Sequence, residues 1–129
     1  DFVVWHMARV EDNWIQRFAR GEGQIWLTGE WHKKFGISEK DSGFGYTSHQ
    51  VSSLPQFDIL EMMSYYAQVR EETLHYLRNV TSKELNRCPD AERRPGYTIG
   101  NMFSHVLIEE SQHVGQIAYI RGMQRGINK

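Results

Sequence analysis

Within the stretch His105-Val106-Leu107-Ile108-Glu109-Glu110-Ser111-Gln112-His113-Val114-Gly115-Gln116-Ile117, a carboxylate and an imidazole stand four residues apart in an apolar, helix-spaced run. At about 100° per residue, Glu109 and His113 lie roughly 40° apart around a helix and one turn apart along it, so both side chains can reach one ion. A helical wheel puts Ile99, Met102, Phe103, Val106, Ile117 and Ile120 on a buried arc, with Glu109 and His113 within or beside it. A lone carboxylate buried there would carry a desolvation penalty of several kcal/mol, which a divalent cation would relieve for both groups at once. Taken alone, a Glu-x-x-x-His spacing on a helix is more often an ordinary ion pair. Its place in the apolar arc, together with a second histidine on another apolar stripe, His6, shifts the reading toward a metal site.

His6 is the natural third ligand, bordering the stripe that carries Val3 and Val10. Two imidazoles and one carboxylate suit Zn²⁺, Ni²⁺, Fe²⁺ or Co²⁺ better than Ca²⁺ or Mg²⁺, and three ligands leave positions open for water or substrate. Glu110 is the rival to Glu109, and the four-residue spacing to His113 favours Glu109. Around the trio, His105, one turn below Glu109, and Gln112 and Gln116, which flank His113, are candidates for supporting contacts. Arg121 could meet an anionic cofactor, although a basic residue near a helix C-terminus is already explained by the macrodipole. His32, His49 and His75 read as surface or loop residues, Cys88 as an ordinary thiol, and Met62 and Met63 as core filler.

The elements that must position these residues are helical. Val3, Val4, Met7, Val10, Trp14, Ile15 and Phe18 predict an amphipathic helix from Phe2 to about Arg20, stopped by Gly21-Glu22-Gly23. A long connection with short helices follows, through the aromatic piece Trp26 to Phe35, the glycine-rich Ser42 to Tyr46, and a turn opened by Thr47 and closed by Pro55. Asp58, with Glu61 as its capping-box partner, opens a helix on Ile59, Met62, Met63, Tyr66, Val69, Thr73 and Leu77. Thr81 caps a short helix, and Thr98 caps the last one, which Gly122 and Gly126 close. Three long helices and one long crossover make a helical bundle lacking a member, so a preceding helix is expected to be absent from this chain, or a partner chain to cover the open face.

A length of 129 residues suits a single domain spanning 1–129, and 24% charged against 40% apolar residues marks a packed protein. The net charge of -1 gives no footprint for nucleic acid. Nothing in the chain reads as a membrane span or a signal peptide. A single cysteine fits a reducing cytoplasm better than an oxidising compartment.

Val4-Trp5-His6-Met7-Ala8-Arg9-Val10-Glu11-Asp12, and the run from His105 to Gly122 read as His-Val-x-x-Glu-x-x-x-His-Val-Gly-Gln-Ile-x-Tyr-x-Arg-Gly, resemble the DinB/YfiT-like superfamily of metal-dependent helical-bundle proteins. Trp31 to Gly36, Gly45-Tyr46-Thr47 and Tyr65 to Arg70 extend the resemblance over nearly the whole chain. It implies an all-α fold, a four-helix bundle with a long crossover whose first helix has no counterpart here, commonly homodimeric, with one divalent metal on His6, Glu109 and His113. Many members carry a third histidine where this chain has Glu109, and the His/Glu/His set resembles the mycothiol-dependent maleylpyruvate isomerase branch. The activity implied is thiol S-transfer with bacillithiol or mycothiol onto small electrophiles. The alternatives are a non-catalytic metal-binding or stress-associated protein and a dimeric interaction scaffold.

Overall fold

Five consecutive residues of the first helix, Trp5 to Arg9, are buried, so this helix has no solvent face there and must lie at the centre of the molecule. The computed structural model describes residues 1–126. Helix α1 (Phe2–Glu11) runs without a break into a π-helical segment, Asp12–Ala19. The crossover carries α2 (Ile25–Thr28), α3 (Trp31–Phe35) and α4 (Ser48–Ser52). Helix α5 (Ile59–Asn79), the short α6 (Ser82–Leu85) and the long α7 (Ile99–Arg125) complete the order, and the described residues hold no strand. Helices α5 and α7 both pack on α1. His6 opposite His113, Trp14 opposite His105, and Ala19 clustered with Ile99 and Met102 show that α1 and α7 run antiparallel.

The capping residues act where the sequence places them, with one change of partner. Thr47 with Gln50 and Thr98 with Asn101 form full capping boxes at α4 and α7. Asp58 accepts from the amides of Leu60 and Glu61 at α5, but Glu61 does not complete a box, because its carboxylate pairs with Lys34 at 2.9 Å. One apolar cluster joins Trp5, Trp26, Phe35, Phe57, Met62 and Tyr65; the other joins Ala19, Ile99 and Met102 beneath Trp14, Phe18 and Phe103.

Two expectations about apolar faces are corrected. Only Ile99, Met102 and Val106 of the supposed α7 arc are buried, whereas Ile120 is exposed, because α7 runs on past the level at which it packs against α1. On α5 the buried line is Met62, Tyr65, Val69 and Thr73, and Ile59, Met63 and Leu77 are exposed, so Met63 is not core filler.

Because α1 is central, each of its polar side chains needs a partner inside the protein. Glu11, fully buried, faces Glu110 of α7 and Arg70 of α5, whose Nη2 lies 2.8 Å from Glu11 Oε2. Tyr66 donates to Glu110 at 2.7 Å, and Arg70 also pairs with Glu110. Burial and the hydrogen bond to Glu110 push the Glu11 carboxyl up to about 8, so Glu11 keeps its proton while Glu110 carries the charge that Arg70 balances. A raised carboxyl contributes stability that is complete below the ordinary carboxylate range and is lost as pH rises toward and through 8. Glu11→Gln, which mimics the protonated form, is expected to remove that slope. In urea unfolding of metal-free protein at pH 5 and pH 9, the wild type should lose on the order of 3–5 kcal/mol more than the variant between the two pH values.

Candidate metal centre

The α1 and α7 helices bring one donor atom each from His6, Glu109 and His113 to within 4.8 Å of one another. His113 Nε2 lies 3.4 Å from Glu109 Oε2. Metal bonds of about 2.1 Å in a tetrahedral set place neighbouring donors about 3.4 Å apart, so this edge already has the spacing a bound ion requires. The two imidazole rings stand edge to face with centroids 5.0 Å apart.

Each imidazole is also oriented. His6 Nδ1 donates to the backbone carbonyl of Ser42 at 2.6 Å, and His113 Nδ1 donates to Gln116 Oε1 at 2.8 Å. A carbonyl oxygen accepts only, so Nδ1 holds the proton in both rings and Nε2 keeps its lone pair for the site. Burial lowers the pKa of His6, which the Ser42 carbonyl opposes in part, and the neutral ring that results is the form that binds metal. His6 is 7% exposed, while Glu109 and His113 are half-buried, so the site closes on the α1 side and opens on the α7 side.

The approach of Ser42 to His6 depends on Gly43. Its φ of +80° is strained for any side chain, and a Cβ there would stand 2.8 Å from the Phe2 ring and 3.1 Å from His6 Nδ1. Phe2 itself stacks on the His6 ring, with centroids 5.9 Å apart. The glycine-rich stretch of the crossover thus brings a backbone acceptor onto a candidate ligand. Residue type at position 42 gives no hint of this, because the acceptor belongs to the main chain.

Of the supporting candidates, Gln116 reaches His113 and His105 stands near the trio, its Nε2 3.9 Å from Glu109 Oε1 and its ring 4.6 Å from that of Trp14. Gln112 is exposed on α7, and Arg121 is exposed two turns beyond His113. Glu110 is engaged by Arg70 and Tyr66, on the α5 side of α7. His49 and His75 are exposed, whereas His32 is half-buried with Nδ1 3.1 Å from the Trp26 carbonyl and Nε2 3.6 Å from Glu39, so it has the acidic neighbour that its sequence surroundings do not disclose. Cys88 donates to the Arg94 carbonyl at 3.3 Å and is an ordinary loop thiol.

Beside the trio lies a cavity of about 400 Å³, bordered by His6, His105 and Glu109 at one side and by Val10, Trp14, Phe18, Phe44 and Arg94. Trp14 and Phe18 come from the π-helical segment and lean together, with centroids 5.4 Å apart. That segment is where the sequence periodicity predicts ordinary α-helix. The wider coil is tied to Asp12, whose carboxylate turns away to accept from the amides of Ile25 and Trp26, each at 2.8 Å, at the start of α2. Helices with π turns recur at functional sites because the wider coil re-aims side chains.

The family model for the DinB superfamily matches residues 2–117, nearly the whole chain and all three candidate ligands. The chain belongs to the DinB superfamily. Among solved structures it is similar to the crystal structure of a conserved protein from Enterococcus faecalis, at a TM-score of 0.82 and 21% identity over 94% of this chain and 72% of that one. That likeness bears on the DinB-like helical fold. No curated protein matches the sequence.

If Gln116 orients His113, Gln116→Leu should weaken metal binding about tenfold or more while leaving the stoichiometry at one ion per chain, read by calorimetric titration with Zn²⁺.

Proposed function

We propose that this DinB-superfamily chain binds one divalent transition metal, Zn²⁺, Ni²⁺, Fe²⁺ or Co²⁺, through His6 Nε2, a Glu109 oxygen and His113 Nε2. The observation that carries the reading is the pair of imidazoles whose Nδ1 protons are both engaged, by Ser42 and Gln116, so that both Nε2 lone pairs serve the same small volume as Glu109. The donor set is that of a borderline-soft cation with an open coordination position.

With three protein donors beside a cavity, the site suits a metal-dependent thiol S-transferase acting on small electrophiles, with bacillithiol or mycothiol as the cofactor, the second being the thiol used by the isomerase branch whose His/Glu/His set it resembles. A divalent ion bound there supplies a lowered pKa to a coordinated thiol and positive charge to hold the thiolate. The chain's own contribution is position and an apolar wall: His6 is fixed by Ser42, His113 by Gln116, and Val10, Trp14 and Phe18 line one side of the cavity. His105 lies beside Glu109 and against Trp14 at the edge of the cavity. No described helix is long and apolar enough to cross a membrane. Exposed apolar side chains on α5 and α7, among them Leu60, Leu107 and Val114, support pairing with a second copy.

The test is conjugation of a model electrophile with bacillithiol or mycothiol by metal-loaded protein. Turnover that chelation abolishes and metal restores supports transfer. Stoichiometric metal without turnover on either thiol returns the protein to the non-catalytic metal-binding class.

A further inference from the structure

Four arginines that pack against the body of the protein are matched by acceptors. Arg9 is held by Asp12, by Gln24 at 2.7 Å and by the Asp41 carbonyl; Arg20 by Glu22 and Glu72; Arg70 by Glu11 and Glu110; Arg87 by Glu84 and the Ala19 carbonyl. Arg94 makes no ion pair among the described residues. Its Nη1 is buried without a hydrogen-bond acceptor, and its guanidinium lies over two aromatic rings, 4.9 Å from that of Trp14 and 4.7 Å from that of Phe18. A buried guanidinium nitrogen without an acceptor is costly, and stacking on rings offsets only part of that cost.

Arg94 also borders the cavity that reaches the candidate ligands. One wall connects the two ends: Glu109 neighbours His105, the His105 ring packs on Trp14, and Trp14 carries the Arg94 guanidinium. Of the other lining residues, Val10, Phe18 and Phe44 are apolar, Asn13 and Ser42 are polar, and Arg9 is already engaged by Asp12 and Gln24. The cavity therefore offers a metal-binding corner, an apolar middle and a cation held flat on aromatic rings, a geometry that also presents the planar fork of an arginine for bidentate pairing.

We propose that Arg94 is the anion-recognition residue of this cavity, and that its ligand is a small molecule with a soft donor at one end, an apolar or aromatic body, and a carboxylate, sulfonate or phosphate at the other. This inference rests on the metal reading of His6, Glu109 and His113 and adds the charge and polarity of what the site accepts. Arg94 supplies the counter-charge, Trp14 and Phe18 hold its plane, and a ligand without an anionic group leaves the guanidinium uncompensated.

The test uses the full chain loaded with Co²⁺ and two thiols that differ only in charge, 4-(mercaptomethyl)benzoate and 4-(mercaptomethyl)benzamide, titrated through the cobalt–thiolate absorption. The benzoate is expected to bind about tenfold or more tightly at low salt, a preference that Arg94→Gln abolishes and Arg94→Lys keeps in part. The Co²⁺ affinity and the benzamide affinity should be unchanged in both variants, which also shows that the variants fold. Equal binding of the two thiols to the wild type, or a preference that survives Arg94→Gln, overturns the assignment while the cobalt–thiolate signal leaves the metal site standing. Co²⁺ that binds without that signal for either thiol overturns the inference and leaves the metal site standing, whereas failure of Co²⁺ itself to bind removes the metal reading and the inference with it.

Discussion

Replacing Asp12 by alanine is expected to cost the fold about 3–5 kcal/mol, the largest loss of stability from any single change to the polar interior. Asp12 is fully buried and meets four donors: the amides of Ile25 and Trp26, the Tyr65 hydroxyl at 2.8 Å, and the Arg9 guanidinium at 3.4 Å. Its burial raises the carboxyl pKa, and the two amides, Tyr65 and Arg9 all oppose that rise. Alanine would leave Arg9, itself 2% exposed, without its one carboxylate partner among the described residues and would strip the start of α2 of its acceptor. Asp12→Asn keeps an acceptor for the amides but loses the charge that balances Arg9, so it should fall between the two. Urea unfolding followed by circular dichroism at neutral pH measures all three proteins, and a loss below about 1 kcal/mol for Asp12→Ala would contradict this account of the interior.

The second large effect concerns the site. His113→Ala is expected to lower affinity for Zn²⁺ or Co²⁺ by more than about a hundredfold, above the 10–100-fold range that changes to residues around a site produce. The same substitution should leave metal-free stability nearly unchanged, because His113 is half-buried and, among the described residues, makes one hydrogen bond, to Gln116, and a 3.4 Å approach to the half-buried Glu109. His6→Ala should cost a comparable loss of affinity and, in addition, some stability, since His6 is buried and packs on Phe2. Calorimetric titration gives the affinities and thermal unfolding with and without metal gives the coupling. The wild type should gain stability on adding metal, and His113→Ala should not.

The meeting of His6, Glu109 and His113 was readable from the chain because it depends on few unknowns. Four-residue spacing alone sets Glu109 and His113 on one face of a helix, and His6 needs only an antiparallel packing of two apolar stripes. The caps at Thr47 and Thr98 were readable for the same reason, being local. What the residue order hides is set by distant partners. The π-helical coil of Asp12–Ala19 starts at Asp12, whose carboxylate is bonded to the start of α2, a partner that no short-range periodicity encodes. Ser42 acts through its carbonyl and Gly43 through the absence of a side chain, so neither advertises a place beside His6. Arg94 sits in a loop rich in charged residues and is distinguished only by the Trp14 and Phe18 rings beneath it. The apolar spacing of α7 misled in the opposite sense: it continues through Val114 and Ile120, which are exposed.

The most direct test of the account is anomalous scattering from crystals of the protein grown or soaked with Co²⁺, measured at the cobalt edge. The account predicts one strong peak per chain, bonded to Nε2 of His6, Nε2 of His113 and a carboxylate oxygen of Glu109, with the Ser42 and Gln116 hydrogen bonds intact. A cobalt-loaded crystal with no peak between those three side chains, or with its peak on other residues, would contradict it.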